Sequence, residues 1–190
     1  LHDVVREVTT AALEQSTRQE IEAAVCDRLV ASESYVGAWT AEVDPINGEM
    51  TPRVERGFDG YAEEVTISTD PDSPLGQGPA GRAVRTREVQ ASQNVQDNSA
   101  FDPWRETIEK YDFDACIAIP IVHESTLYGV LGVYSNREDA FADAERAVIG
   151  QLGETIGHAI SAVERKRAMM SDEIIEIGLQ CRRFFQTLGL

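Results

Sequence analysis

Three cysteines, Cys26, Cys116 and Cys181, and three histidines, His2, His123 and His158, are the residues of this chain best suited to nucleophilic, redox or metal chemistry. Their spacing argues against most of it. No two cysteines form a CxxC pair and their number is odd, which speaks against a disulfide framework and for a reducing compartment. No His or Cys cluster has metal-ligand spacing, so no metal is expected, and each histidine reads as an ordinary surface or end-of-strand residue. Serines, histidines and acids occur, but no set of nucleophile, base and orienting group can be assembled from them. No catalytic residue is assigned, and the expectation is a protein that is not an enzyme. The loop Pro71–Gly81 (PDSPLGQGPAG) has glycines in a spacing that a phosphate cradle would use. A dinucleotide fingerprint follows a buried parallel strand and opens a long helix. Neither is evident here, so the loop reads as a tight turn before a short helix.

The charge balance narrows the partners. With 17 basic and 33 acidic residues the formal net charge is −16, and only Lys110 and Lys166 are lysines. Phosphate contacts need a basic patch, so this chain is a poor nucleic-acid binder by itself. A carboxylate-rich, lysine-poor surface suits a salt-rich cytoplasm, where screening shrinks the Debye length to about 3 Å at 1 M. No run approaches the roughly 18 apolar residues of a membrane helix, and Leu1–Thr10 lacks the regions of a signal peptide. The expectation is a cytoplasmic protein with no membrane contact.

The elements that must position any site are organised around Asp114–Asn136 (DACIAIPIVHESTLYGVLGVYSN). Two runs rich in Ile, Val and Tyr, Ile117–Val122 and Leu127–Tyr134, flank a four-residue polar link, which predicts a β-hairpin at the centre of a sheet. Gly129 and Gly132 inside the second strand predict a bulge or a close approach by another backbone or a ligand, and Pro120 predicts an edge or a bulge. Upstream, Tyr35–Val43 and Met50–Arg56 read as strands about a turn at Asp44–Glu49, Gly57–Tyr61 as a turn, Glu64–Ile67 as a short strand or extended lead, Arg82–Arg87 as a short helix and Val89–Ala91 as a short strand. Asp102-Pro103 predicts a helix start, with Trp104, Ile108 and Tyr111 on one face.

Helices frame the chain at both ends. Leu1, Val4, Val8 and Ala11 share one face, and Thr17-x-x-Glu20 is a capping box that starts a second helix with Ile21, Ala24, Val25 and Leu29 as its stripe and Cys26 as core filling. Asp143 can cap a long last helix. In it Ile149, Leu152, Ile156, Ala159, Val163, Lys166 and Met170 form a heptad seam broken by Lys166. The expectation is that its first half packs on its own domain and its second half on a twin, with Val4, Val8, Ile149, Leu152, Ile156 and Val163 as the candidate dimer interface. Ser171–Glu173 can end this helix, and Ile174–Gln180 reads as a short strand. The division that follows is residues 1–16 as a dimerisation helix, 17–167 as the central domain, and 168–190 as a linker and the start of a further domain.

Several segments in this order resemble a GAF domain. Gly78–Gln90 (GPAGRAVRTREVQ) looks like the family's Gly-x-x-Gly-x-Ala/Val segment, Ala91–Asp97 like the strand and Asp-containing loop after it, Ala115–Ser135 like its hairpin, and Phe141–Glu145 like the start of its final helix. The likeness covers roughly 17–167. It implies an α+β, GAF/PAS-like fold, a central antiparallel sheet with N- and C-terminal helices on one face and a pocket on the other. The implied pocket lies between the sheet and residues 94–112, lined by Trp39, Arg56, Phe101, Trp104, Ile108, Tyr111, Cys116 and Tyr134; an alternative is that these aromatics fill the core. A shorter likeness, Met169–Gln180, is similar to the link after the GAF module in haloarchaeal regulators of the bacterio-opsin activator type, which end in a helix-turn-helix.

The family's known chemistries each place characteristic residues in the pocket. GAF-type free methionine sulfoxide reductases carry a cysteine in the Gly-rich loop, where this chain has Ala80; Cys116 alone supports a redox enzyme as the alternative reading. Bilin attachment uses a cysteine followed by His, and Cys116 is followed by Ile117. The pattern of cyclic-nucleotide relatives is met in part by Asn98, Phe101 and Asp102, without its lysine. The cofactor stays unknown. The reading is a ligand-sensing, homodimerising module of a transcription regulator that reaches DNA only through a domain outside this chain, with the sensor of a histidine kinase as a further alternative.

Overall fold

The sheet grows outward from the hairpin. Its strands are β1 (Gly37–Val43), β2 (Met50–Arg56), β3 (Gln90–Ser92), β4 (Ala115–His123) and β5 (Thr126–Ser135), in the order β2-β1-β5-β4-β3 with every pair antiparallel. The structure is a computed structural model and describes residues 1–187, with side chains as far as Gln180 and at Arg182. Pro120 lies beyond the last β3 partner, Ala118, where the outer edge of β4 is open and a missing N–H is tolerated. The register of β4 against β5 shifts between Ile121 and Val122, opposite Gly129, which lies against the backbone of Ala41. The two strand glycines thus mark a bulge and a close approach.

Alternation along the strands sorts side chains onto two faces. Ile117, Ile119, Ile121, Leu131 and Val133 point to one; Trp39, Ala41, Cys116, Ala118, Val130 and Tyr134 to the other. The first face is covered by helices α1 (His2–Leu13), α2 (Arg18–Ala31), α6 (Asp143–Gly150) and the beginning of α7 (Leu152–Thr187). The second is covered by short elements: α3 (Tyr61–Glu64), a 3₁₀ turn at Pro74–Gly76, α4 (Pro79–Thr86), a 3₁₀ helix at Ser99–Trp104 and α5 (Arg105–Tyr111). This is an α+β fold. Each fully buried Ile or Leu of the helical face contributes about 1.5–3 kcal/mol of transfer free energy.

Local chemistry explains the helix ends. The Thr17 hydroxyl accepts from the Glu20 N–H at 3.2 Å, and the Glu20 carboxylate accepts from the Ser16 N–H at 3.2 Å, so both halves of the capping box form with a one-residue offset. Asp143 does not cap α6. It is the first helical residue, and Ala142 occupies the cap position. Glu145 does the work instead, accepting from the Phe141 N–H at 2.9 Å while also taking the Tyr35 hydroxyl at 2.9 Å and Arg137 at 2.8 Å. Asp102 lies inside the 3₁₀ helix, whose cap is Asn98, and receives a hydrogen bond from Arg105 at 2.7 Å. Glu64 ends α3, and residues 65–67 form no strand.

One charge is fully buried beneath α2. Glu22 accepts from Arg18 at 3.0 Å and from Arg53 at 2.6 Å. Arg18 also donates to the Tyr128 carbonyl at 2.6 Å and lies 3.8 Å from Glu164. This cluster ties α2, β2, β5 and α7 together. Burial alone would lower the Arg53 pKa, but the hydrogen bond and charge of Glu22, helped by Glu42, hold it above the usual arginine value.

The C-terminal helix corrects two expectations. It does not end at Ser171–Glu173, and Ile174–Gln180 is helical, not a strand. Its β-branched composition pointed to a strand, but Ile174, Ile175, Ile177 and Leu179 are exposed, and Met170, Ile174 and Ile177 recur at helical steps. The interface assignment also changes. Val8, Ile149, Leu152 and Ile156 are each 0% exposed and fill this chain's own core, while Val4 and Val163 are half-buried against it. A heptad pattern records that a face is apolar; it is satisfied here largely by the sheet and the neighbouring helices.

Candidate functional site

The second face of the sheet holds the candidate site. Trp39 of β1 and Tyr134 of β5 point from the floor. Phe101 and Trp104 from the 3₁₀ helix, and Ile108 one turn into α5, come down from above, and Cys116 of β4 closes one side. These six of the eight candidate residues line one cavity. Two glycines set its width. A Cβ at Gly132 would sit 2.5 Å from Nε1 of Trp39, and one at Gly78 would sit 2.8 Å from Cη2 of Trp104. Each indole is thus seated on a glycine, one in the floor and one at the start of α4. The Trp104 N–H is anchored on the Thr66 carbonyl at 3.0 Å.

Arg56 is not part of the cavity. It pairs across β1 with Ala38, whose side faces the helices, and its guanidinium binds Asp27 of α2 at 2.6 Å. Tyr111 lies one layer behind the cavity, packed on Phe58 and Tyr61 with ring centroids at 4.9 and 5.3 Å, and donates its hydroxyl to the Asp59 carbonyl. Tyr61, Phe113, Val65, Ile67 and Ala80 also line it and are not among the residues the sequence points to. Tyr61 stands at the end of a Gly- and Asp-rich stretch that reads as a turn, and Phe113 in a polar three-residue link.

The polar part of the site is a short chain of hydroxyls. The Trp39 N–H donates to Tyr134 Oη at 2.8 Å, and Tyr61 Oη lies 2.8 Å from Tyr134 Oη. Burial pushes both phenols above their ordinary range, so they act as neutral donors and acceptors. Burial also pushes the Cys116 thiol up to about 12, opposed by the nearby Arg82 charge. A thiol held neutral is a weak nucleophile, because the thiolate is the reactive form. Cys26 lies in the helix-side core, across the sheet, and burial raises its thiol as well. Between the aromatic walls the cavity measures about 40 Å³, room for a few water molecules.

Elsewhere the sequence kept His123 and His158 apart, and the fold brings their rings together edge to face at 5.0 Å. Among the described residues, no group of three or more His, Cys, Asp and Glu is placed to hold a metal ion, and no helix is long and apolar enough to cross a membrane.

The family model for the GAF domain matches residues 15–161. This chain belongs to the GAF family. Among curated proteins, the "Bacterioopsin transcriptional activator" of Halobacterium salinarum is 27% identical over 95% of this chain, and the chain spans 25% of that relative's length. Among solved structures, the GAF domain of a phosphoenolpyruvate-protein phosphotransferase from Coxiella burnetii superposes with a TM-score of 0.70 at 18% identity, covering 87% of this chain and 95% of that one. The free methionine-R-sulfoxide reductase of Neisseria meningitidis, solved with its substrate, superposes at 0.69 with 14% identity over 86% and 89%. The five-stranded antiparallel sheet with its flanking helices is therefore the GAF fold.

Proposed function

We infer that this GAF domain is the sensory and dimerising module of a transcription regulator, and that it is not an enzyme. A small guest in the aromatic cavity would bias how two copies pair through their C-terminal helices. Coupling of this kind requires that the guest bind two helix arrangements with different affinity.

The observation that carries the reading is the course of α7. Leu152, Ile156 and Ile160 are fully buried on the sheet, yet the same helix continues beyond the domain with Met170, Ile174 and Ile177 exposed by 54, 68 and 53%. Val163, Met170 and Ile177 fall at seven-residue intervals, with Ile174 between the last two. That is an a/d stripe of a coiled coil; Val163 still touches the domain core, while Met170, Ile174 and Ile177 stand exposed among the described residues. The neutral, buried Cys116 thiol supports a binding role over a redox one, and the likeness to the bacterio-opsin activator supports regulation of transcription. DNA contact falls to sequence outside this chain, whose net charge of −16 opposes it.

The test is the double substitution Met170→Asp with Ile177→Asp, both exposed in the single chain. The parent should sediment as a dimer at tens of micromolar and the variant as a monomer with unchanged near-ultraviolet dichroism. A parent that is monomeric, or a variant that stays dimeric, would refute the helical interface.

A further inference from the structure

A donor count at the floor of the cavity leaves one proton over. Three groups there can donate: the Trp39 N–H, the Tyr134 O–H and the Tyr61 O–H. Only two hydrogen bonds join them, Trp39 to Tyr134 and one between the two hydroxyls. If Tyr61 donates to Tyr134, the Tyr134 proton is free; if Tyr134 donates to Tyr61, the Tyr61 proton is free. Neither hydroxyl has another partner among the described residues, and both tyrosines line the cavity at 5 and 6% exposure. The surplus donor thus exists whichever way the pair is oriented. A buried donor left without a partner is destabilising, so the site is short of one acceptor.

The walls define what can carry that acceptor. No Asp, Glu, Lys, Arg or His lines the cavity. Glu55, whose charge bears on both phenols, is already engaged by the backbone N–H groups of Gly60, Tyr61 and Ala62. Arg82 acts on Cys116 through its charge but does not line the cavity. A charged guest would have to shed its hydration without a partner in the wall, which disfavours it. Trp39, Phe101, Trp104 and Phe113 give the cavity walls of aromatic surface, which a flat ring covers best by stacking or edge-to-face contact. The cavity is closed to about 40 Å³, well below the roughly 150 Å³ in which an apolar protein cavity takes up benzene, so the 3₁₀ helix carrying Trp104 must move outward to admit one.

We propose that the cavity binds a small, flat, uncharged molecule whose carbonyl-type oxygen accepts the surplus hydroxyl proton of the Tyr61–Tyr134 pair. This rests on the reading of the cavity as the sensor site and adds the chemical class of its guest.

The chain has two tryptophans, Trp39 and Trp104, and both line the cavity, so its indole emission reports on this site alone. Three probes of similar size separate the terms. Acetophenone is flat, neutral and carries the acceptor; ethylbenzene lacks the acceptor; benzoate adds a charge. Acetophenone should change the emission saturably, with a Kd about tenfold lower than that of ethylbenzene, as one good hydrogen bond provides, and lower than that of benzoate. The variant Tyr61→Phe should keep the preference, because the Tyr134 proton is then the free one. Equal affinity for acetophenone and ethylbenzene would overturn the acceptor and leave a binding cavity in place. Tighter binding of benzoate would overturn the neutral class. No saturable response to any probe would overturn both this proposal and the sensor cavity, with a trapped water as the acceptor.

Discussion

The indole of Trp39 lies flat on Gly132, its cross-strand partner in β5, and from that seat donates to Tyr134 two residues further along the same strand. The pair makes Gly132 the residue that admits a tryptophan to the floor of the site. In Gly132→Ala the new methyl would meet Nε1 at 2.5 Å. The ring must tilt and the Trp39–Tyr134 bond must break. A loss of about 1–3 kcal/mol is expected from overpacking, with a shift in indole emission in a Trp104→Phe background. Urea unfolding together with the emission spectrum checks it. An unshifted spectrum at full stability would show that the seat is not tight.

A second prediction concerns Glu22. Its carboxylate is fully buried between Arg18 and Arg53, and removing one partner of a buried ion cluster leaves the others desolvated and unpaired. Glu22→Ala should therefore cost about 3–5 kcal/mol. Adding Arg53→Met should recover part of it, since Arg53 is then no longer stranded. Chemical denaturation of the single and double variants measures both. If the double variant is the sum of the two singles, the coupling is absent.

What the sequence disclosed and what it hid have separate physical causes. The hairpin was legible because β-branched runs on either side of a polar link have few other uses, and Pro120 and Gly129 marked the open edge and the bulge where they stand. Trp39, Phe101, Trp104, Ile108, Cys116 and Tyr134 were assigned to one pocket by the family likeness, and the fold brings them together. Arg56 was misplaced because strand parity decides its side: it shares the helix-facing side with its partner Ala38 and with Val54, and composition does not state that parity. Tyr61 and Phe113 were hidden in stretches whose glycines and aspartates read as turns. The heptad in the last helix was real, but periodicity states only that a face is apolar. It does not say whether a sheet of the same chain or a second chain covers it, and here the sheet takes Ile149, Leu152 and Ile156.

A third prediction follows from how closely α7 approaches β4. A Cβ at Gly157 would lie 2.5 Å from the carbonyl carbon of Val122, and one at Gly153 would lie 2.9 Å from Cγ2 of Ile119. Backbone atoms have no rotamer by which to yield. Gly157→Ala should lift the helix from the strand and cost about 1–3 kcal/mol, even though alanine is the better helix former by about 1 kcal/mol. Thermal unfolding gives the sign. A stabilised variant would mean that the helix can slide to accommodate the methyl.

The last prediction is an alkaline one. Burial raises the folded-state pKa of both Cys116, to about 12, and Cys26 from an ordinary value of 9.0. Each thiol is neutral in both folded and unfolded chains below pH 9, so its contribution to stability is fully present there. Above pH 9 the unfolded chain releases the proton and the folded one does not. Stability therefore falls as pH rises, by about 1.4 kcal/mol per pH unit for each thiol, until Cys116 ionises in place near 12. The buried tyrosines Tyr35, Tyr61 and Tyr134, also raised by burial, add to the slope from pH 10 upward. Between pH 8 and pH 10 the urea midpoint should drop, and in Cys26→Ala with Cys116→Ala it should drop less, although that variant begins from a lower stability. An equal fall in both proteins would show that the thiols ionise without unfolding, and iodoacetamide labelling of the folded protein at pH 10 would then be fast.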